Sequence, residues 1–373
     1  MAEPGADFEA AKTLFLKGLA ALQGGRFVDA EAAFAASLAK LPGRISTLVN
    51  LAATRLALQR PAAALGNADA VLAIEPDNAD AWLHRGSALA QLGRFAPALQ
   101  AFEAVCRIEP RHAAAWSQRG AILRATGRFD EAAAAFEQAI AHGADLDLHR
   151  FYLAAVRGGE SSNTAPAIAP AGYVQALFDD YAPGFDRHLV DGLGYRAHRT
   201  LVDQLAFAPP RRYASALDLG CGTGLCGALL AGRVDRLTGV DLSAGMLDEA
   251  RALGVYAQLV QTDLLDHLHA TPDRHDLVLA ADVFIYVGAL APVFEAVRRV
   301  LQPGGVFCFS VESSSREDLD FELLASLRYA HSRSTLDRLA EGNGFAILRS
   351  VEQPIREEQR RPIAGRYVVL AQR

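Results

Sequence analysis

Small and apolar residues recur with a period of 34 positions through the first part of the chain. A turn of glycine or glutamine followed by arginine occurs at positions 25, 59, 93 and 127, and an alanine stands five positions after each. Prolines recur at the same interval, as Pro42, Pro76 and Pro110. A period of this length predicts pairs of antiparallel helices that stack into a solenoid and form a concave surface.

The third and fourth repeats share the residues that pack neighbouring helices. Trp82, Gly86, Leu89, Ala98 and Phe102 recur as Trp116, Gly120, Leu123, Ala132 and Phe136. We expect the small residues where antiparallel helices approach closely and the aromatic residues in the gaps between pairs. These residues resemble the tetratricopeptide repeat, of which four copies cover residues 10–144. The first two copies are degenerate, because Leu14 and Leu48 stand where the later copies have tryptophan.

The predicted all-α domain extends over residues 8–157, because residues 145–157 predict a closing helix with apolar side chains on one face. The resemblance implies a groove that binds a protein or peptide partner. The alternative is a scaffold that spaces or dimerises the rest of the chain. Residues 158–170 are small, polar and proline-bearing, which predicts a short linker.

Short apolar runs alternate with amphipathic segments from residue 171 to residue 373. The predicted parallel strands are 214–218, 236–241, 256–261, 276–280 and 306–310, and 345–351 and 365–370 predict an antiparallel hairpin at the sheet edge. Alternating strands and helices predict a doubly wound α/β sheet, whose ligands bind at the carboxyl ends of the strands. Four acids fall at these ends, namely Asp218, Asp241, Asp263 and Asp282.

Glycines follow the first predicted strand in the sequence Leu-Asp-Leu-Gly-Cys-Gly-Thr-Gly. Glycine allows a tight turn and lets a ligand lie against bare backbone. Gly222, Gly224 and Gly227 also fit the GxGxxG fingerprint of dinucleotide sites, and an acid follows at a distance typical of a ribose contact. A nicotinamide-dependent oxidoreductase is therefore one alternative. Asp218 argues against it, because an acid ahead of the glycines suits a positively charged amino group rather than a phosphate.

The order of these motifs resembles that of class I S-adenosylmethionine-dependent methyltransferases. The matching segments are 217–224, 239–243, 262–264, 280–283 and 301–305. The resemblance implies a Rossmann-like, seven-stranded methyltransferase sheet over residues 171–373, with S-adenosylmethionine as the cofactor. The chain as a whole is similar to bacterial methyltransferases that carry an amino-terminal tetratricopeptide array and have no assigned substrate.

The resemblance also assigns cofactor contacts to the strand ends. The implied contacts are Gly220, Gly222 and Asp218 for the methionine part, Asp241 for both ribose hydroxyls, Leu242, Asp263 and Leu264 for adenine, and Ala281 for the cofactor backbone. For Asp218 or Asp263 taken alone, the alternative is a helix cap. Residues 178–186 resemble a helical lid in which Tyr181 closes over the cofactor, and plain aromatic packing of an added helix is the alternative.

The acceptor chemistry depends on residues that follow the fourth and fifth strands. A carboxylate acceptor needs no base, whereas an amine or a hydroxyl must lose a proton. The candidate bases are Asp282, Tyr286 and His331, and only the histidine has an ordinary pKa near neutral pH. A surface or core role is the alternative for His331. Arg356 with Glu357 is the candidate substrate-binding pair, since arginine suits an acidic substrate.

Two further expectations concern the same part of the chain. Residues 327–334 are expected to wall the acceptor pocket, with Ser334 as the cap of the helix that follows. No His, Asp or Glu cluster has the spacing of metal ligands, so no metal is expected.

The composition of the chain indicates which partners and which cell compartment to expect. The net charge of -6 argues against binding to nucleic acid. The sequence contains neither a signal-peptide pattern nor an apolar stretch of about 20 residues, so no membrane contact is expected. The four cysteines, Cys106, Cys221, Cys226 and Cys308, are expected to be reduced thiols, which favours a cytoplasmic protein.

Together these features predict a methyltransferase whose repeat domain recruits or orients the acceptor. The acceptor is expected to be a protein, a peptide or a carrier-bound molecule, with a small free molecule as the further option. An adaptor with a non-catalytic, cofactor-sensing domain is the alternative. The intact acids and glycines argue against that alternative, and the sequence leaves the methylated atom and the oligomeric state open.

Overall fold

The computed structural model describes residues 4–158, 165–182, 184–192, 194–209, 212–358 and 361–373. Contacts divide the chain into two compact units, Met1–Arg157 and Gly158–Arg373. The first unit is helical, and the second contains a sheet with helices on both faces.

Helices of the first unit alternate with short turns, and each packs against the next one in the chain. Their bounds are α1 (Pro4–Gln23), α2 (Phe27–Lys40), α3 (Ile45–Ala57), α4 (Pro61–Leu72), α5 (Ala79–Gln91), α6 (Phe95–Ile108), α7 (Ala113–Ala125), α8 (Phe129–Ala141) and α9 (Leu146–Val156). The odd-numbered helices also contact one another from repeat to repeat, α1 with α3, α3 with α5 and α5 with α7. They therefore line the inner side of the solenoid.

An aromatic ring of the second helix lies directly against a glycine of the first helix in three repeats. The pairs are Gly18 with Phe34, Gly86 with Phe102, and Gly120 with Phe136. A Cβ on these glycines would lie 2.6, 2.6 and 2.5 Å from the nearest ring atom, which leaves no space for a side chain. In the second repeat, Ala52 and Ala68 occupy the equivalent positions and both are fully buried. The small residues therefore lie where the paired helices approach closely, as expected, but these rings fill space within a pair and not only between pairs.

The second unit is built from seven α-helices and nine strands in its described residues. The helices are α10 (Ala171–Tyr181), α11 (Ala197–Gln204), α12 (Leu225–Leu230), α13 (Ala244–Ala252), α14 (Leu264–Ala270), α15 (Ala291–Val300) and α16 (Arg333–Gly342). The strands are β1 (Tyr213–Leu219), β2 (Val234–Asp241), β3 (Gln258–Gln261), β4 (His275–Ala280), β5 (Leu301–Ser313), β6 (Glu322–Leu323), β7 (Tyr329–His331), β8 (Phe345–Glu358) and β9 (Arg361–Gln372).

The main sheet has the strand order β3-β2-β1-β4-β5-β9-β8. The first five strands are parallel, and β9 pairs antiparallel with both β5 and β8. This is the predicted doubly wound, Rossmann-like sheet with its antiparallel hairpin. The sequence missed β6 and β7. β7 pairs with Glu312 and Ser313 at the end of β5, on the edge opposite β9, and β6 pairs with β7.

Buried side chains cover both faces of this sheet, as a parallel sheet between helices requires. On one face, α15 inserts Val293, Phe294 and Val297 against β4 and β5, where Phe307 and Phe309 are fully buried. On the other face, α11 and α12 cover a second cluster of buried side chains. The apolar positions of α15 follow the helical period, which explains why this segment folds onto the sheet.

Two local expectations differ from the structure. The cap of α16 is Ser332, whose Oγ accepts the N–H of Thr335 at 3.3 Å, and not Ser334, which lies in the first turn. The last residues of the predicted linker belong to the second unit. The carbonyl oxygen of Ala167 accepts the N–H groups of Gly288 and Ala289 at 2.9 and 2.8 Å, which ties this segment to the loop after β4.

Candidate functional site

Four acids lie at one edge of the sheet, because the strands that precede them run in the same direction. Asp218 and Asp241 belong to the ends of β1 and β2, and Asp263 and Asp282 follow β3 and β4. The strand order β3-β2-β1-β4 sets them side by side along the carboxyl edge. This edge is where ligands bind in sheets of this type.

The glycine loop after β1 turns the chain with left-handed backbone conformations. The φ angles of Gly220, Gly222 and Gly224 are +62°, +53° and +93°. A Cβ at Gly222 would meet nothing within 4 Å, so open space lies over this stretch of backbone. A Cβ at Gly220 would lie 2.5 Å from Cγ2 of Val283. Gly222 therefore fits a ligand that lies against backbone, whereas the absence of a side chain at Gly220 is required by packing.

Asp241 connects the loops that follow β1 and β2. Its Oδ2 accepts the N–H of Gly222 at 2.8 Å, and its Oδ1 accepts the N–H of Ser243 at 2.9 Å. Burial raises the pKa of Asp241, and these two N–H groups oppose that rise. Each carboxylate oxygen has a second lone pair, so the group retains the capacity to accept two hydroxyls side by side.

Asp218 lies beneath the glycine loop and is 1% exposed. The hydroxyl of Tyr256 donates to its Oδ2 at 2.7 Å. Burial raises the pKa of Asp218 to about 7, although the tyrosine hydroxyl stabilises the ionised form. A buried carboxylate with one tyrosine donor fits a cationic amino group, because the cation would supply the charge compensation that this site lacks.

The residues expected at adenine occupy the start of α14. Oδ1 of Asp263 accepts the N–H groups of Leu265 and Asp266 at 2.8 and 3.3 Å, so this acid caps the helix. Both of these hydrogen bonds are accepted by the same carboxylate oxygen. Leu264 is 9% exposed and packs in the core of the sheet, whereas Leu242 and Ala281 are half-buried. The cap predicted as an alternative for Asp263 is therefore present, and its cofactor role stays a prediction.

The segment 178–186, which precedes the sheet, forms hydrogen bonds with the two loops that flank the expected cofactor position. Oδ1 of Asp179, on α10, accepts the hydroxyl of Ser243 at 2.5 Å, and Oδ1 of Asp186 accepts the hydroxyl of Thr223 at 2.5 Å. Both acids belong to the segment 178–186 that resembles a lid, but the sequence predicted no role for either of them. Tyr181 ends α10, and its side chain lies outside the described residues.

A buried ionic cluster lies beyond the ends of β4 and β5. The guanidinium of Arg356, 2% exposed, contacts the carboxylates of Glu312, Glu358 and Asp282. Its Nε donates to Glu358 Oε1 at 2.8 Å, and its Nη1 lies 3.5 Å from Asp282 Oδ2. Arg328 contacts the same oxygen, Oε1 of Glu358. Burial opposes the charge of Arg356, but Asp282 and Glu312 raise its pKa above the ordinary value.

The remaining acceptor-site candidates are His331, Tyr286 and Glu357, and they differ in burial. Nε2 of His331 lies 2.9 Å from the carbonyl oxygen of Gly288, so this nitrogen carries the hydrogen. Burial lowers the pKa of His331 to about 4, and the side chain is 1% exposed. The structure thus supports the core alternative for His331. Burial raises the pKa of Tyr286 to about 12, and Glu357 is exposed while its neighbour Glu358 joins the cluster.

Comparisons with known proteins agree with this geometry. A family described as a methyltransferase domain matches residues 216–305, and tetratricopeptide repeat families match residues 6–45, 49–111 and 113–143. The chain is 34% identical over 174 residues to methyltransferase-like protein 27 of Homo sapiens, covering 44% of this chain and 65% of that protein. It is 32% identical over 177 residues to malonyl-[acyl-carrier protein] O-methyltransferase of Enterobacter lignolyticus, covering 47% and 68%.

Two solved structures are each similar to part of the chain. A magnesium protoporphyrin IX methyltransferase from Synechocystis, with bound S-adenosylhomocysteine, covers 54% of this chain and 99% of its own at 16% identity, with a TM-score of 0.42. The protein MamA covers 40% of this chain and 81% of its own at 20% identity, with a TM-score of 0.37.

The fold and the strand-end site define an S-adenosylmethionine-dependent methyltransferase domain that follows a helical repeat array. The chain belongs to the methyltransferase family and carries tetratricopeptide repeats ahead of the catalytic domain. It spans about two thirds of the length of the two relatives named above.

Among the described residues, no helix combines the length and the apolar character that a bilayer crossing needs. The same residues hold no group of three or more His, Cys, Asp or Glu side chains arranged for a metal ion.

Proposed function

We propose that this methyltransferase acts on a protein, a peptide or a carrier-bound molecule that the repeat array recruits or orients. The observation that carries the proposal is the array itself, a complete set of packed helix pairs in the same chain as the catalytic domain. Arrays of this type present an extended inner surface to a partner. One relative is named as a malonyl-[acyl-carrier protein] O-methyltransferase, and the carrier protein in that name supports a carrier-bound acceptor.

The odd-numbered helices leave some apolar residues partly exposed. Val49 and Leu56 on α3, and Leu83 and Ala90 on α5, are half-buried and leave part of their side chains accessible. These four residues come from the odd-numbered helices that contact one another across repeats. A partner segment with small apolar side chains fits such a surface better than a highly charged one.

In the catalytic unit, the chain's own residues hold and orient the methyl donor. When bound, S-adenosylmethionine supplies a methyl group on a cationic sulfur, which the acceptor displaces in line. We expect Asp241 to accept the ribose hydroxyls, Asp218 to compensate the charge of the amino group, and Gly222 to expose backbone to the cofactor. Positioning by these groups supplies most of the catalysis, since the methyl group is already activated.

Removal of the array tests recruitment. The second unit has its own core, so a chain starting at residue 158 should fold and bind S-adenosylhomocysteine with the affinity of the full chain. Transfer of tritiated methyl groups to macromolecular acceptors in a cell extract should fall at least about tenfold. Equal transfer rates for the two chains would contradict recruitment.

The adaptor alternative makes a different prediction. It expects S-adenosylhomocysteine to bind and no methyl transfer to occur with either chain. If the full chain did not bind S-adenosylhomocysteine in calorimetry, the assignment of the cofactor would itself be wrong. The methyltransferase family decides between S-adenosylmethionine and a nicotinamide dinucleotide in favour of the first.

A further inference from the structure

The ionic cluster at the end of β5 contains an acceptor oxygen without a partner. Oδ1 of Asp282 is buried and has no hydrogen-bond partner among the described residues. Its Oδ2 lies 3.5 Å from Nη1 of Arg356, a nitrogen that likewise makes no hydrogen bond within the described part of the chain. Leaving a buried carboxylate oxygen unsatisfied costs free energy, so a native site of this kind calls for a donor from outside.

The backbone at Asp282 is held in an unusual conformation. Its φ angle is +59°, in the left-handed region that side chains other than Gly, Asn and Asp rarely adopt. Its N–H donates to Oγ of Ser310 at 2.8 Å, which fixes the residue at the end of β4. The next residue, Val283, packs on Gly220 of the glycine loop. Asp282 therefore stands next to a residue that contacts the glycine loop.

The charges around Asp282 disfavour an acidic substrate. Three carboxylates (Asp282, Glu312 and Glu358) face two guanidinium groups (Arg328 and Arg356), which leaves one negative charge in excess when all are ionised. The fork of Arg356 already contacts all three carboxylates. A carboxylate acceptor would have to displace one of them and would meet the remaining negative charge. A neutral group with a hydrogen to donate meets neither obstacle.

We propose that Asp282 accepts a hydrogen from the atom to be methylated, so that the acceptor is a hydroxyl or a neutral amine and not a carboxylate. Arg356 is the positioning residue that orients the carboxylate of Asp282. This inference rests on the methyltransferase function proposed above. It also replaces the expectation that Arg356 and Glu357 bind an acidic substrate.

The transfer balances with the groups named. The acceptor oxygen or nitrogen forms a bond to the methyl carbon, and the carbon–sulfur bond breaks with its electron pair left on sulfur. The O–H or N–H proton passes to Oδ1 of Asp282, and its bonding electrons stay on the acceptor atom. Asp282 returns this proton to solvent after the product leaves. Burial raises the pKa of Asp282, which makes it a stronger base than an exposed aspartate.

Three probes of similar size test the acceptor class: phenol, aniline and benzoate. The full chain is saturated with S-adenosylhomocysteine, and binding of each probe is followed by saturation-transfer NMR up to about 10 mM, a range suited to such small ligands. Phenol or aniline should bind at least about tenfold more tightly than benzoate. Preference for benzoate, equal binding of all three, or no binding of phenol and aniline would each overturn the inference. Saturation with S-adenosylhomocysteine, checked by calorimetry, tests the cofactor assignment separately.

Two variants separate a chemical role of Asp282 from a structural one. Asp282→Asn and Asp282→Gly both tolerate the left-handed conformation, so both should fold. Both should lose the preference for phenol or aniline, and benzoate should bind more tightly because a negative charge next to Arg356 is gone. Affinity for S-adenosylhomocysteine should change less than about twofold. Asp337→Asn, on the exposed side of α16, is the matched control. Unchanged probe preference in both variants would show that Asp282 is structural.

Discussion

The N–H of Gly222 donates a hydrogen bond of 2.8 Å to Oδ2 of Asp241, which ties the glycine loop after β1 to the end of β2. The other oxygen of this carboxylate accepts the N–H of Ser243. The acid that the sequence predicts at the ribose is therefore also the acid that ties these two loops together. We expect cofactor binding and local order to depend on the same side chain.

Asp241→Asn should weaken both functions. An amide has one acceptor oxygen, so its NH₂ group would face one of the two backbone N–H groups. We expect a loss of about 1–3 kcal/mol in stability and at least about tenfold in affinity for S-adenosylhomocysteine. Thermal unfolding and titration calorimetry measure the two effects. Asp248→Asn, exposed on α13, is the control. Affinity equal to that of the wild type would limit Asp241 to tying the loops.

Substitutions at the two loop glycines should differ in their main effect. One should chiefly lower stability, and the other should chiefly lower the affinity for S-adenosylhomocysteine. Gly220→Ala adds a Cβ 2.5 Å from Val283 at a φ of +62°, which should cost about 2–5 kcal/mol of stability. Gly222→Ala meets open space, so only the strain of its φ angle, about 1–2 kcal/mol, is expected. Its methyl group would instead obstruct the cofactor and lower the affinity for S-adenosylhomocysteine by about tenfold or more.

A double variant checks the packing argument for Gly220. Val283→Ala removes the methyl groups that a Cβ at residue 220 would meet, so Gly220→Ala should cost less in that background than alone. Denaturant unfolding followed by far-ultraviolet circular dichroism gives the four stabilities. If the two substitutions were additive, the contact between residues 220 and 283 would not be the cause of the loss.

The sequence was informative wherever structure depends on neighbours along the chain. The 34-residue period, the close approach of paired helices at small residues and the strand ends with Asp218 and Asp241 are set by local spacing, and all of these are present in the structure. Their positions follow from helical and strand periods alone. The cofactor roles of these residues stay predictions, because spacing alone fixes where a side chain lies and not what it binds.

The partners of Arg356 could not be predicted in this way. Glu312 is 44 positions away and reaches Arg356 through the pairing of β5, β9 and β8. An irregularity in β8 between Pro354 and Arg356 makes Ile355 and Arg356 both buried, so the alternation of inward and outward side chains is broken. A shift of one residue exchanges faces, which is why Glu358, and not the predicted Glu357, lies in the cluster.

The stability of the catalytic unit should depend on the pH through Asp218. Burial raises its pKa from 3.8 to about 7, so between these values the unfolded chain ionises while the folded chain keeps the proton. The contribution of this group to the free energy of unfolding is therefore greatest below pH 3.8 and falls as the pH rises to about 7, by up to about 4 kcal/mol.

Asp218→Asn isolates this effect. Asparagine keeps an acceptor for the Tyr256 hydroxyl and does not ionise, so the variant should lack this fall and be more stable than the wild type at pH 8. Urea unfolding between pH 5 and pH 8, followed by circular dichroism, measures the difference between the two proteins. A constant difference across this range would contradict the raised pKa. The same variant should also bind S-adenosylmethionine more weakly above pH 7, where the wild type gains a negative charge.

The turn of the second repeat has a non-glycine residue in a left-handed conformation, and one substitution should relieve the steric cost. Gln59 occupies the left-handed turn position, with a φ of +55°, where Gly25, Gly93 and Gly127 have φ angles of +69°, +70° and +76°. The turn itself is intact, because the N–H of Arg60 donates to the carbonyl of Arg55 at 2.8 Å, as in the other repeats. The steric cost arises because Gln59 carries a side chain in a left-handed backbone conformation, which glycine adopts without such a cost.

Gln59→Gly should therefore stabilise the first unit, by up to about 1 kcal/mol. Both tryptophans of the chain, Trp82 and Trp116, lie in this unit, so their fluorescence reports its unfolding separately from that of the catalytic unit. Gln91→Gly is the control, because it places a glycine in the last turn of α5, where it should destabilise by about 1 kcal/mol. A midpoint that shifts downward for Gln59→Gly would mean that the flexibility gained in the unfolded chain outweighs the relief of the turn.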